Sequence, residues 1–238
     1  MSEKLPKSNH QERPIRHGSI DPYSVGLSMP RYDDLEKGKV RVAIHPSEIE
    51  RQGRTLAEYL NIFGLTKEQL RGKKILDLGA GPHALPAQEL QDIAEVYSVS
   101  PEYASEQFRV PLPDGVVDTR IAARGEALPF QDNSLDIVWV LHVFEHLDST
   151  VKIDGLTSAQ AVFREIIRVL KPGASAYIAP ARAFDYLGGI NTFKASIDNL
   201  NEVSIVEEET SFTGSEWDDY LGEDFTVPIC RIVVTKNR

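Results

Sequence analysis

Two short stretches carry residue types that could do chemistry. The first is Asp77-Leu78-Gly79-Ala80-Gly81-Pro82-His83-Ala84, which follows an apolar run and precedes a short helical stretch around Leu85 to Ile93. Glycines at such a junction let the backbone turn sharply and let a ligand approach without meeting a Cβ, while the start of the helix offers unpaired N–H groups. The chemistry implied is binding of a nucleotide-like ligand. Gly79-x-Gly81-x-x-Ala84 also satisfies a dinucleotide fingerprint, and glycines in such turns are often purely structural. The second stretch is His142-Val143-Phe144-Glu145-His146. Read literally it is an inverted zinc-protease pattern, two histidines four apart on a helix with a neighbouring Glu as base. A third ligand would have to come from an acidic tail that shows no ligand pattern, and Glu145 and His146 equally suit the capping of a short helix. His142, at a strand end and of a type that titrates near neutrality, is the candidate base where a proton must be removed.

The elements that must position these residues are legible from periodicity and punctuation. Lys74–Leu78, Glu95–Val99, Asp118–Ala122, Leu135–Leu141 and Ala174–Ala179 read as strands. Ile137 to Leu141 is uninterruptedly apolar, as a central strand covered on both faces should be. Ser158–Leu170 reads as a helix with Val162, Ile166 and Val169 on one stripe, ended by Lys171-Pro172-Gly173. Ser47-Glu48-Ile49-Glu50 forms a capping box opening a helix with Leu56, Tyr59, Leu60 and Phe63, and Thr66-Lys67-Glu68-Gln69 repeats the device. Strands alternating with helices favour a parallel sheet. Val203–Thr210 and Phe225–Val234 suit an antiparallel pair closing it. Residues 1–46, rich in Pro, Ser, Arg and Gly and without periodicity, are expected to be a loosely ordered N-terminal arm, with residues 47–238 as one domain.

Composition narrows the partners. The chain has 238 residues with 26 Lys and Arg against 36 Asp and Glu, a formal charge of -10. A net acidic surface repels phosphate backbones, so nucleic acid is disfavoured. The single cysteine, Cys230, excludes an intrachain disulfide and thiolate metal clusters. The longest apolar run, Ile137 to Leu141, is far short of the roughly 20 residues a membrane-crossing helix needs, and the N-terminus has no apolar leader, so a cytosolic address is expected. Ten acids and no Lys or Arg lie between Ala195 and Cys230. This run reads as a solvated edge, or as an acidic rim for a cationic substrate with Trp217 and Tyr220 supplying ring faces.

Further segments, in order, are Ala127-Leu128-Pro129-Phe130-Gln131-Asp132-Asn133-Ser134-Leu135-Asp136-Ile137-Val138, the His142 segment running on to Leu147, and Arg164-Glu165-Ile166-Ile167-Arg168-Val169-Leu170-Lys171-Pro172-Gly173. With the glycine loop they closely resemble the class I S-adenosylmethionine-dependent methyltransferases over about Lys74 to Pro180, in particular the branch with quinone-biosynthesis and other small-molecule enzymes. The resemblance implies an α/β, Rossmann-like, seven-stranded, mostly parallel sheet with helices on both faces and an antiparallel last strand. It also implies S-adenosylmethionine as cofactor and a small-molecule methyl acceptor. Asp77, Gly79, Ala80 and Gly81 would line the methionine end of the cofactor, Ser100 and Pro101 the ribose, Glu126 and Ala127 the adenine, and Leu141 and His142 the sulfonium and acceptor. His83 would touch the cofactor carboxylate or shape the loop. Arg182, Phe184, Tyr186 and Phe193 would shape the acceptor pocket, whereas Tyr177 reads as core.

Two departures from the family pattern stand out. Ser100 occupies the slot of an acid that accepts both ribose hydroxyls, so either Glu102 reaches back or affinity falls. Arg124 stands where an acid usually meets the adenine amino group, and Arg has no acceptor. The same substitutions would suit an NADP-type dehydrogenase, which leaves the later segments unexplained, or a methyltransferase-like binder that has lost catalysis.

Overall fold

The computed structural model describes residues 54–147, 152–181, 193–194, 202–214 and 225–237. The arm at 1–46 and the box at Ser47–Glu50 lie outside them. Helix α1 (Leu56–Phe63) is capped by Thr55, whose side chain accepts from the Glu58 N–H while the Glu58 carboxylate accepts from the Thr55 N–H. That reciprocal pair satisfies amides a helix start leaves open. The helix carrying Tyr59 and Phe63 therefore begins at Thr55 rather than at the expected box. It ends at Gly64 in the left-handed region, with φ 59°. Helix α2 (Lys67–Leu70) has the expected Thr66–Gln69 box.

The chain then runs through β1 (Lys74–Leu78), α3 (Leu85–Leu90), β2 (Glu95–Val99), β3 (Arg120–Ile121), β4 (Leu135–Leu141), a hairpin of β5 (Lys152–Ile153) and β6 (Leu156–Thr157), α4 (Ser158–Val169), β7 (Leu170–Ala179), β8 (Val203–Gly214) and β9 (Phe225–Lys236). The seven-stranded sheet has the order β3-β2-β1-β4-β7-β9-β8. β3, β2, β1, β4 and β7 pair in parallel, and β9 runs antiparallel between β7 and β8. This is the Rossmann-like α/β architecture expected from the sequence. Strand β3 is shorter than the expected Asp118–Ala122 because the Asp118 carboxylate turns back onto the Arg120 N–H at 3.0 Å, a local bond that competes with the ladder.

Both faces of the sheet are covered. On one face Leu76, Leu78, Val138, Val140 and Ile178 meet Val162, Phe163, Ile166 and Val169 of α4. On the other Ile75, Val96, Ile137 and Trp139 meet Leu56, Tyr59, Ile62 and Phe63 of α1 and Leu90 of α3. Six of the seven residues of β4 are buried, which is why that strand reads as apolar without alternation. The expectation that Lys171-Pro172-Gly173 caps α4 is corrected. The chain is already extended at Leu170, with ψ 137°. Gly173, with φ 78°, lies instead in a bulge where the register jumps from Leu135↔Leu170 to Ile137↔Ser175. Asp136 anchors that bulge by accepting from Lys171 Nζ at 2.8 Å and from the Lys74 N–H at 2.9 Å.

Candidate active site

The strand order reverses between β1 and β4, with β2 and β3 continuing to one side and β7 to the other. In an open parallel sheet the connections leave to opposite faces at such a point, and a crevice opens at the carboxyl ends of the strands. The loops after β1 and β4 meet there. The Gly79 N–H donates to the Val99 carbonyl at 2.8 Å, extending the β1–β2 ladder, and its φ is 81°. A Cβ on Gly79 would stand 2.5 Å from Cγ2 of Val143. This glycine thus makes room for a side chain of the β4 loop, where the sequence suggested room for a ligand. The open side of the turn is at Gly81, with φ 67° and nothing among the described residues within 4 Å of where a Cβ would be. Ala80 and His83 are half-buried in the same turn.

Beneath the turn lies a row of polar side chains across three strands. Ser98, Asp77 and Trp139 are register neighbours on the α1 face of β2, β1 and β4. All three are fully buried, and Asp77 Oδ2, Ser98 Oγ and Trp139 Nε1 have no partner among the described residues. Asp77 Oδ1 accepts the Tyr59 hydroxyl at 3.0 Å. Burial pushes the Asp77 carboxyl up to about 7, against the smaller opposing pull of that hydrogen bond and of the Arg54 charge. Burial, and then the charge of Asp77, drive the Tyr59 phenol well above its usual range.

At the end of β2, Ser100 is buried and its hydroxyl accepts the Glu102 N–H at 3.3 Å, capping the 3-10 turn Pro101–Ala104. Pro101 is half-buried and Glu102 exposed beside it. Beyond β3, Arg124 pairs with Glu126 at 3.2 Å, and the Ser158 hydroxyl in the first turn of α4 donates to the same Glu126 oxygen. The Glu126 carboxylate is committed to tying that segment to α4. Ala127 next to it is exposed. At the end of β4, Leu141 is buried and His142 takes the left-handed conformation, φ 56°, with its N–H on the Ala179 carbonyl at 2.8 Å. Only Phe144–His146 forms a 3-10 turn. The two histidines therefore do not share a helix face, and the zinc-protease reading fails on geometry.

Part of the chain is similar to proteins already known. Residues 76–178 match the family model described as "Methyltransferase domain". Residues 76–178, less than half of the chain, are thus similar to that family. Similar sequences include an uncharacterized methyltransferase of Mycobacterium avium (strain 104), 28% identical over 112 residues, covering 47% of this chain and 41% of that protein. One of Mycobacteroides abscessus is 29% identical over 113 residues, covering 46% and 40%. The matched region thus spans well under half the length of these relatives. Among solved structures, one from work on the conversion of a disulfide bond into a thioacetal group during echinomycin biosynthesis is 14% identical with TM-score 0.55, covering 87% of this chain and 91% of that one. A chain from the complex of the Haloferax volcanii Trm112 methyltransferase activator with a methyltransferase is 14% identical with TM-score 0.50, covering 89% and 100%. These two likenesses show the fold alone.

The segment from Arg164 to Gly173 braces the site. Glu165 accepts the Leu128 N–H at 2.8 Å. Arg168 donates to Glu165 at 2.7 Å, to Asp132 at 2.7 Å, and to the carbonyls of Phe130 and Leu128 at 2.7 and 2.9 Å. The pair fastens α4 to the Leu128-Pro129-Phe130 turn. Phe193, expected in the acceptor pocket, is instead buried core, its ring edge-on to Phe163 at 5.3 Å and Phe144 at 6.1 Å. Tyr177 packs against Phe63 at 5.9 Å. Arg182, Phe184, Tyr186, Trp217 and Tyr220 lie outside the described residues. Sequence reasoning missed Tyr59, which reads as one more apolar position of α1. It also missed Tyr103, Arg120 and Gln88, which hold the glycine turn and carry no signal of their own in the sequence.

Proposed function

We propose that this chain is an S-adenosylmethionine-dependent methyltransferase that methylates a small molecule. The observation that carries the reading is the turn at Gly81, open among the described residues where a Cβ would fill it and placed at the switch point of the parallel sheet. The donor set suits the cofactor: a buried carboxyl with one spare oxygen, Asp77, lies under the turn, and an exposed carboxylate, Glu102, lies beside the β2 end. In this reading Asp77, Ala80 and Gly81 hold the methionine end, with Gly79 shaping the turn against Val143, Ser100 and Pro101 with Glu102 hold the ribose, Ala127 and the backbone of Glu126 the adenine, and Leu141 the methyl-bearing region. The chemistry the cofactor supplies when bound is a methyl group already activated on a sulfonium. The protein's task is then alignment of an acceptor atom in line with that methyl, which supplies much of the rate. Where the acceptor is a hydroxyl, its proton passes to His142, held at the crevice by its backbone bond to Ala179.

A second reading, a binder without turnover, is favoured by one observation: Ser100 and Glu126 spend their side chains on protein partners where polar anchors for the cofactor are usual. Thermal shifts with S-adenosylhomocysteine, NADPH and zinc, followed by S-adenosylhomocysteine release against a panel of small acceptors, separate the readings. Stabilisation by S-adenosylhomocysteine alone, with turnover on one acceptor that His142→Ala slows at least tenfold, is the expected result. Binding without turnover on any acceptor supports the binder, and stabilisation by NADPH or zinc alone contradicts both.

A further inference from the structure

The glycine turn is held from outside by side chains of three other elements. The Gly81 carbonyl accepts the Tyr103 hydroxyl at 2.5 Å. The Pro82 carbonyl accepts Arg120 Nη1 at 3.4 Å, and the His83 carbonyl accepts Gln88 Nε2 at 2.5 Å. Three consecutive carbonyls of one loop are thus fixed by the β2–β3 connection, by β3 and by α3. Before them, Gly79 is fixed by its N–H on Val99. Between these anchors the Gly81 N–H has no protein acceptor among the described residues.

The holders are themselves braced. Tyr103 is buried, and the Arg109 Nε donates to its carbonyl at 2.7 Å. Arg120 lies with its guanidinium carbon 5.9 Å from the centre of the Tyr103 ring, donates to the Val110 carbonyl at 2.7 Å, and pairs with Asp118 at 2.9 Å. A glycine at positive φ rotates cheaply, so without such contacts the Gly81 amide would sample many directions. A peptide group is planar, so the Tyr103 bond fixes the Gly81–Pro82 plane and the Val99 bond the Leu78–Gly79 plane, and the Ala80–Gly81 plane that carries the Gly81 N–H is strung between these two held ends. Pro82, with its fixed φ, carries that constraint onward.

We propose that Tyr103 is a positioning residue for the cofactor: by holding the Gly81 carbonyl, with Gln88 holding that of His83, it fixes the turn so that the Gly81 N–H is presented to the carboxylate of S-adenosylmethionine. This rests on the reading of the crevice as the cofactor site. Its mark is selectivity for one end of the ligand. S-Adenosylhomocysteine carries the amino-acid end, and 5'-methylthioadenosine has the same adenosyl group and sulfur without it. A merely structural role would weaken both ligands alike.

The test is calorimetric titration of the parent, Tyr103→Phe and Gln88→Met with both ligands, with thermal melts to verify folding. Removing one such hydrogen bond is expected to weaken S-adenosylhomocysteine by about fivefold to tenfold. The affinity for 5'-methylthioadenosine should change less than about twofold, a small fraction of that same hydrogen-bond effect. The two variants fail or fold independently, since one acts from the β2–β3 connection and the other from α3. Unchanged S-adenosylhomocysteine affinity in both variants, or equal losses for the two ligands, overturns the proposal. A parent that binds no S-adenosylhomocysteine overturns the cofactor reading and the proposal with it.

Discussion

Replacing Gly79 by Ala separates packing from ligand access in the glycine turn. The new Cβ would lie 2.5 Å from Val143 Cγ2, well inside any tolerated contact, and the backbone stays at φ 81°. Holding Ala in that conformation costs roughly 1–2 kcal/mol. Forcing the Val143 side chain or the two loops apart adds roughly 1–3 kcal/mol. The sum is a destabilisation of roughly 2–5 kcal/mol. Gly81→Ala meets nothing within 4 Å among the described residues, so it should cost only the backbone part, roughly 1–2 kcal/mol. Trimming the neighbour removes the contact: in a Val143→Ala background, Gly79→Ala should cost roughly 1–2 kcal/mol less than in the parent. Urea unfolding followed by far-ultraviolet circular dichroism measures all five proteins. Equal losses in Gly79→Ala and Gly81→Ala, or a strictly additive double variant, would refute the assignment of Gly79 to packing.

Other outcomes follow from the same geometry. Asp77 has a folded pKa of about 7 against an ordinary value of 3.8, so the folded state holds a proton the unfolded state has lost between those values. Stability should therefore fall as pH rises from about 4 to 7, by roughly 3–4 kcal/mol, and level off above. Asp77→Asn should abolish that slope in urea midpoints, and a slope that persists would contradict the burial argument. Arg168→Ala removes the donors to the Leu128 and Phe130 carbonyls and should destabilise by about 2 kcal/mol, with Arg168→Lys recovering less than half because an ammonium lacks the planar fork. Full recovery by Lys would show that charge alone matters there. Thr157→Ala, which breaks the capping box of α4, should cost about 1 kcal/mol in the same assay.

The strands were legible because burial on both faces leaves an unmistakable apolar run. β1, β2 and β4 occupy the residues their patterns mark, and the Thr66 box starts α2 where its chemistry dictates. What stayed hidden was set by contacts distant in sequence. Glu58 caps α1 at Thr55 with the same chemistry that Ser47-x-x-Glu50 offers, and pattern alone cannot choose between two such boxes. Gly173 looked like a helix stop, yet the sheet uses its freedom for a bulge against Leu135 and Ile137. At the site, spacing marked Gly79 and Gly81 as a pair but could not tell that one faces Val143 and the other open space. Glu126 reads as a ligand anchor until Ser158, 32 residues away, is seen to hold it. Tyr59 and Asp77 meet only because α1 packs across β1.

A crystal structure grown with S-adenosylhomocysteine tests the central claim most directly. The account predicts the amino-acid end against the Gly81 N–H, the ribose beside Ser100 and Glu102, and the sulfur facing Leu141 and His142. A ligand bound elsewhere, or a crevice between the β1 and β4 loops that stays empty at saturating ligand, would contradict it.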